Sequence, residues 1–295
     1  MNQSIHIDDI VMSRYLRDKG KDILAAAIRK GIHSQNAYNY HSLINHLNSW
    51  YKKFESDDNI VEDIQRVIEE AIKHHPNDSY ITLEIGRLDG ILNNRPSAKT
   101  HFKRAIELSP KNMAARFLLA KIYYKDKQYK DAFAICEAGL KLKEDEILLG
   151  RLALEIMHRL PFDFQTINEA YLKYLKTNKN DSFVKLCFAA YLYINKSDHC
   201  DKYFAELRSN PQLTSREKHT IIDLVNVHLN VANYEETGRV VNSFDAGCMI
   251  ETERFKTTTK VFCSNLRNNQ KSYTRVNYVI KFNFSGPVAI KARVI

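Results

Sequence analysis

The chain has 295 residues and a formal charge of +9, from 44 Lys+Arg against 35 Asp+Glu, with 44% hydrophobic and 27% charged residues. That composition is globular and not disordered, and only 9 Gly and 6 Pro point to long helices with short connections and leave no Gly-rich phosphate loop. The longest apolar run, 186–194, falls well short of the roughly 20 residues a membrane span requires.

The first residues meet Asp8 and Asp9 without an apolar signal core. Five scattered cysteines (136, 187, 200, 248 and 263) form no C-x-x-C, so reduced thiols in a cytoplasmic protein are expected. Residues 8–19 and an alanine-rich stretch, 20–30, read as an atypical leading helix pair, and 1–40 is taken as an N-terminal helical segment.

From about residue 41 the chain repeats itself. Three segments align without gaps at a period of 34, starting at Ala71, Ala105 and Gly139, with Pro76 and Pro110 in register. Apolar residues at i, i+3, i+4 and i+7 predict helices over 80–92 and 97–108. The prolines, which lack an amide to extend the hydrogen-bond ladder, stop the second helix of each pair. Gly86, Ala98 and Phe102, then Leu119, Ala120, Tyr123 and Ala132, occupy the small and aromatic landmark places of a tetratricopeptide repeat. Segment 79–146 resembles two good repeats of that family, and 43–78 resembles a weaker one. The resemblance implies a mostly α protein, a solenoid of helical hairpins stacked to bury faces that no hairpin buries alone.

Beyond 146 the register decays while helical pairing continues. Predicted pairs are 146–160 with 166–176, 181–194 with 198–208, and 215–231 with 234–243, so the repeat array is taken as 41–246.

The remaining segment, 247–295, changes period from 3.6 to 2. Val276, Tyr278, Ile280, Phe282 and Phe284 alternate with Arg275, Asn277, Val279, Lys281 and Asn283, the pattern of a half-buried strand. Ser285-Gly286-Pro287 makes a turn, 288–295 alternates again, and 260–266 is a third strand candidate. This segment also holds the whole charge excess: from Arg254 onward there are nine bases and no acid, while residues 1–253 balance 35 against 35. Residues 279–289 resemble the last two strands of a cold-shock domain with its Gly-Pro-x-Ala turn, and Val261-Phe262-Cys263-Ser264 is similar to that family's second RNA-binding motif. The family's Lys-Gly-Phe-Gly-Phe-type motif is missing, and Ser264 stands where the second motif carries His. The expectation is a small basic β module, a partial OB or cold-shock-like barrel, with room from 248 for only a reduced one.

Two candidate surfaces follow. The resemblance to cold-shock domains makes Phe262 a base-stacking residue, with Lys260, Arg275, Lys281, Lys291 and Arg293 as phosphate contacts for RNA or single-stranded DNA. Taken singly, each aromatic reads first as core. In the array, Lys53, Arg87 and Lys121 recur 34 apart just after the small landmark position, and on regular stacking they form a basic ladder down the groove. Leu83, Phe117 and Tyr124 would add apolar contact, for an acidic peptide or a chain-terminal carboxylate.

No catalytic constellation is present in the sequence. There is no H-E-x-x-H and no Cys/His zinc spacing, and Ser215-x-x-Lys218 lacks the partner motifs of its chemistry. Neither a metal nor a cofactor is expected. The sequence reads as a non-catalytic adaptor that binds a protein partner through its groove. Likeness to pieces of bacterial signalling or conflict-system proteins implies a sensor or regulatory subunit, including one in antiviral defence. The alternatives are a nucleic-acid-binding protein acting through the tail, and a homo-oligomeric scaffold whose tail completes a neighbour's sheet.

Overall fold

A computed structural model describes residues 37–54, 58–209, 235–244, 247–252, 260–264, 274–283 and 286–294, with single positions 214, 218, 221, 222, 225 and 266. The expected leading helices, 8–19 and 20–30, lie outside the described residues. The chain divides into two compact units, one ending at Ile156 and the other starting at Met157.

The first unit holds α1 (Ala37–Phe54), α2 (Asp58–His74), α3 (Ser79–Ile91), α4 (Arg95–Leu108), α5 (Met113–Lys125), α6 (Tyr129–Leu142) and nearly all of α7 (Ile147–Met157). Tyr40, Leu43, Ile44 and Leu47 of α1 repeat at helical spacing and bury against Ile64, Val67, Ile68 and Ala71 of α2 and Ile81 and Leu88 of α3. A second cluster joins Leu83 of α3 to Ala98, Phe102 and Ala105 of α4 and Ala115 and Leu119 of α5. Each large side chain removed from water in this way contributes roughly 1.5–3 kcal/mol. Gly86 lets α3 approach α4 closely: a Cβ there would sit 2.7 Å from Phe102 Cε1.

Polar side chains define the helix starts. Asp78 accepts from the backbone amides of Tyr80 and Ile81 at 2.8 and 2.9 Å, and Asn112 accepts from that of Ala115 at 3.0 Å. Asn112 also reaches back one repeat. Its Nδ2 donates to Ser79 Oγ at 2.8 Å, and that hydroxyl donates to the Ala105 carbonyl at 2.8 Å, both buried. The 34-residue period extends to the backbone, since Asn93 and Lys127, in equivalent turns, both take left-handed φ of 60° and 59°.

The second unit starts with α8 (Phe164–Thr177), α9 (Ser182–Ile194) and α10 (Cys200–Arg208). Asp181 caps α9 by accepting from the Val184 amide at 3.1 Å, and its other oxygen takes the Tyr174 hydroxyl at 2.6 Å. The rings of Tyr171 and Phe188 stack at 4.9 Å between α8 and α9. Of the expected helix 215–231, positions 218, 221, 222 and 225 are described, and they are helical.

The chain then folds into β1 (Glu235–Phe244), β2 (Gly247–Thr252), β3 (Lys260–Cys263), β4 (Arg275–Asn283) and β5 (Gly286–Val294). They close into a barrel of order β1-β2-β3-β5-β4, antiparallel except for the parallel β3–β5 pair. This arrangement is compatible with an OB-type barrel. Val276, Tyr278, Ile280 and Phe282 of β4 point inward with Val261 and Cys263 of β3 and Ala289 of β5. Phe282 meets Tyr193 of α9 at 5.5 Å and Phe204 of α10 at 6.3 Å between ring centroids.

Two expectations are corrected here. Residues 234–243 are not a helix, because Glu235–Phe244 form β1 and pair with β2 and β4. The barrel is therefore closed and five-stranded, not reduced. Thr237, Val240 and Val241 favour a strand, and Gly238 disfavours a helix. Partners distant in sequence decide the outcome: Glu236 lies opposite Tyr278, 42 residues on, and accepts its hydroxyl at 3.3 Å.

Candidate functional site

The first helices of successive hairpins, α1, α3 and α5, line a groove of about 730 Å³ within the first unit. Its α1 wall is polar, made by Asn45, Asn48 and Ser49. Gly86, Gly90, Phe102, Leu118 and Ile122 contribute apolar or side-chain-free surface, and Arg87, Lys121 and Lys125 bring positive charge. No acid stands among the described residues that line it. The volume falls within the range of built ligand sites, roughly 300–1,000 Å³.

Arg87 is partly committed. Its Nη1 donates to Asn45 Oδ1 at 2.8 Å and lies 3.2 Å from Oε1 of Glu84, whose side chain is fully buried. His41 Nε2 stands 3.2 Å from the same oxygen, and Asn48 Nδ2 donates to Glu84 Oε2 at 3.1 Å. A buried carboxylate without partners would be costly, and this set of contacts offsets that cost. Lys121 and Lys125 are exposed, one helical turn apart on α5, and Lys121 Nζ lies 5.8 Å from the ring centroid of Phe117.

The expected ladder residues lie in the first unit. Arg87 and Lys121 line one groove, and Phe117 supports Lys121 from the side. Lys53 sits on α1, with its side chain outside the described residues, and the residue facing Arg87 is Asn45, two turns earlier in the helix. The 34-residue rule fails at this rung because α1 starts at Ala37, 42 residues before Ser79, whereas α3 and α5 start 34 apart. Leu83 is 1% exposed and belongs to the core shared by α3, α4 and α5, so it offers no groove contact. Tyr124 turns its hydroxyl to Glu155 Oε1 of α7 at 2.7 Å and is not among the lining residues. Lys125 was missed, although its i+4 spacing from Lys121 on one helix face was readable. The amide wall on α1 was not, because it depends on how far α1 slides along α3.

The expected nucleic-acid residues divide between two parts of the barrel exterior. Phe262 is 37% exposed between the buried Val261 and Cys263, so it belongs to the outer face and not to the core. Strand register puts Met249, Phe262, Val288 and Lys281 in one row across β2, β3, β5 and β4. Phe262 and Lys281 are then two strand spacings apart, roughly 10 Å. Arg275 and Arg293 lie elsewhere, near Arg239 on β1, which pairs directly with Arg275, while Arg293 pairs with Asn277. Lys291, with φ of 51°, falls at the register shift between β4 and β5. Lys260 opens β3 opposite Glu251, with its side chain outside the described residues. Tyr278 and Phe282, by contrast, are core.

A tetratricopeptide repeat profile matches residues 93–156, which run through α4, α5, α6 and α7. Those residues carry tetratricopeptide repeat sequence. Of the groove's lining, Asn93, Phe102, Leu118, Lys121, Ile122 and Lys125 fall within the matched residues. PilF of Pseudomonas aeruginosa is similar at 13% identity and a TM-score of 0.47, over 66% of this chain and 86% of that one. YrrB, described as a tetratricopeptide repeat protein with an unusual peptide-binding site, is similar at 12% identity and a TM-score of 0.45, over 70% and 97%. MamA of Desulfovibrio magneticus gives 19% identity and 0.42, over 57% and 92%. No curated protein matches the chain. Among the described residues no helix is long and apolar enough to cross a membrane.

Proposed function

We propose that this repeat protein is a non-catalytic cytoplasmic scaffold that holds an acidic segment of a partner protein in the groove between α1, α3 and α5. The observation that carries the reading is the charge of the lining: Arg87, Lys121 and Lys125, with no acid among the described lining residues and Glu84 buried behind Arg87. The first 253 residues are neutral as a whole, so attraction here is local and not a property of net charge. Lys121 and Lys125 are the positions to change. Reversing Arg87 would set a carboxylate against the buried Glu84 and damage the fold itself.

The test is recovery of co-purifying proteins from the native host, compared by quantitative mass spectrometry between the wild type and a Lys121→Glu/Lys125→Glu variant of equal thermal stability. Selective loss of an acidic partner from the variant is expected, and identical recovery would overturn the reading. Light scattering on the same samples reports a homo-oligomeric scaffold, if that is what the chain forms.

A second reading is favoured by one observation, the exposed ring of Phe262 in line with Lys281 on the β2–β3 side of the barrel. Aromatic stacking on unpaired bases contributes roughly 1–3 kcal/mol per base. On this reading the barrel binds RNA or single-stranded DNA, and Phe262→Ala weakens retention on an oligonucleotide at low salt. Equal retention by the variant would remove it. A regulatory place in bacterial signalling or defence rests on the likeness of a repeat array joined to a cold-shock-like segment.

A further inference from the structure

All five cysteines are buried, reduced thiols. Cys136, Cys187 and Cys200 sit on α6, α9 and α10, each on a separate helix. Cys248 and Cys263 differ, because strand register makes them direct cross-strand neighbours on β2 and β3. Both are 0% exposed and face the barrel interior, as does the next inward pair, Ile250 and Val261. The alternate pair, Met249 and Phe262, lies on the outer face. Directly opposite residues of antiparallel strands hold their Cα atoms about 4.5–5.5 Å apart. A disulfide spans Cα atoms roughly 4.4–6.8 Å apart, so this pair can close with little backbone movement.

β3 is also where the barrel is held least. It is the shortest of the five strands, with 4 residues, and it joins β5 through Phe262 with Val288 and Cys263 with Ala289 alone. Local opening at so short a strand costs less than unfolding the whole barrel. It admits a small oxidant to thiols that the closed barrel covers. Cys248 Sγ donates to the Leu266 carbonyl at 3.7 Å, a weak bond that an oxidised pair gives up at little cost.

We propose that Cys248 and Cys263 are a redox pair, two thiols that oxidise to a disulfide across β2 and β3 and lock the barrel where β3 closes it. With hydrogen peroxide as oxidant, one sulfur loses its proton and attacks a peroxide oxygen, giving a sulfenic acid and one water. The second sulfur then attacks the first, so that the S–S bond forms and a second water leaves. Two thiols and one peroxide become one disulfide and two waters, and a dithiol reductant reverses the step by exchange. The bond makes the pairing of β2 with β3 covalent and fixes Met249 beside Phe262 on the outer face.

The test is treatment of the native full chain with hydrogen peroxide, then blocking of the remaining thiols and peptide mass mapping without reduction. A peptide linked through Cys248 and Cys263 within one chain, lighter by two hydrogens and split by dithiothreitol, is expected. Hydrogen–deuterium exchange over 260–263 should slow in the oxidised protein, and the melting temperature should rise by several degrees. Cys248→Ala and Cys263→Ala should each abolish the linked peptide and the redox response of exchange. The wild-type map needs neither variant, so a variant that fails to fold leaves the test decisive. Both thiols still open to blocking after peroxide, or linkage of other cysteines in their place, would overturn the proposal. So would a linked peptide that forms only in denaturant, or one that leaves exchange over 260–263 unchanged.

Discussion

Gly86 and Gly90, four residues apart on one helix, respond oppositely to the same methyl group. Gly90→Ala should stabilise the protein by about 0.5–1 kcal/mol, because alanine restricts the unfolded chain and meets nothing when folded. Gly86→Ala should cost about 1–3 kcal/mol through overpacking against Phe102. Chemical denaturation of the two variants checks this, and destabilisation of similar size at both positions would contradict the account of Gly90. Thiols show how burial decides reactivity at this scale. Burial pushes Cys136 up to about 12, and burial, followed by the nearby Asp201 and Asp198 charges, pushes Cys200 up to about 12. At pH 8 both stay protonated, and neither should react with a thiol reagent until the protein unfolds, as measured by the rate of disulfide-exchange labelling with and without denaturant.

At the scale of elements, successive helices are joined by a few polar contacts whose loss is specific. Asn112→Ala removes the cap of α5 together with the buried bond to Ser79, and should cost about 1–2 kcal/mol in denaturant unfolding. Asp126, just past α5, pairs with Lys99 at 2.7 Å and Arg95 at 3.0 Å, both on α4. The hydrogen bond from Lys99 holds its carboxyl below the usual carboxylate value, with Arg95 assisting. A carboxyl lowered in the folded state stabilises above its unfolded pKa of about 4 and loses that contribution as pH falls through the lower folded value. Asp126→Asn should therefore reduce the acid sensitivity of the melting temperature as pH falls below the unfolded value of about 4. The difference should shrink in high salt, since the pair is partly exposed.

What the sequence made legible follows the reach of the interactions. The 34-residue spacing, Pro76 and Pro110, and the small residues at 86, 98 and 105 are local signals, and α3, α4, α5 and α6 lie where they point. The alternation over 275–283 and the turn at Gly286, whose φ of 126° suits glycine, did the same for β4 and β5. Residues 235–244 misled because Glu235 and Glu236 look like a helix start, and only pairing with β4 fixes them as a strand. The pairing of Arg87 with Asn45 was not legible for a related reason, since the offset of α1 against α3 is set by packing of Ile44 and Leu47 and not by sequence spacing. Leu83, expected along the groove, lies in the core, because burial depends on which neighbour covers a face.

The whole molecule keeps its charge in one place and its groove in another. The nine bases that give the +9 all lie from Arg254 onward, yet the groove of the first unit lies in a neutral stretch and gains its charge from Arg87, Lys121 and Lys125. Salt should separate the two surfaces. Nucleic-acid retention by the barrel should fall steeply with ionic strength, whereas groove binding, anchored also by apolar contact, should fall less. The most direct measurement is amide chemical-shift mapping of the isotopically labelled full chain during titration with an oligoglutamate peptide. Shifts concentrated in 86–91 and 118–125 are expected, and shifts confined to β3, β4 and β5 would contradict a peptide-binding groove in the repeats.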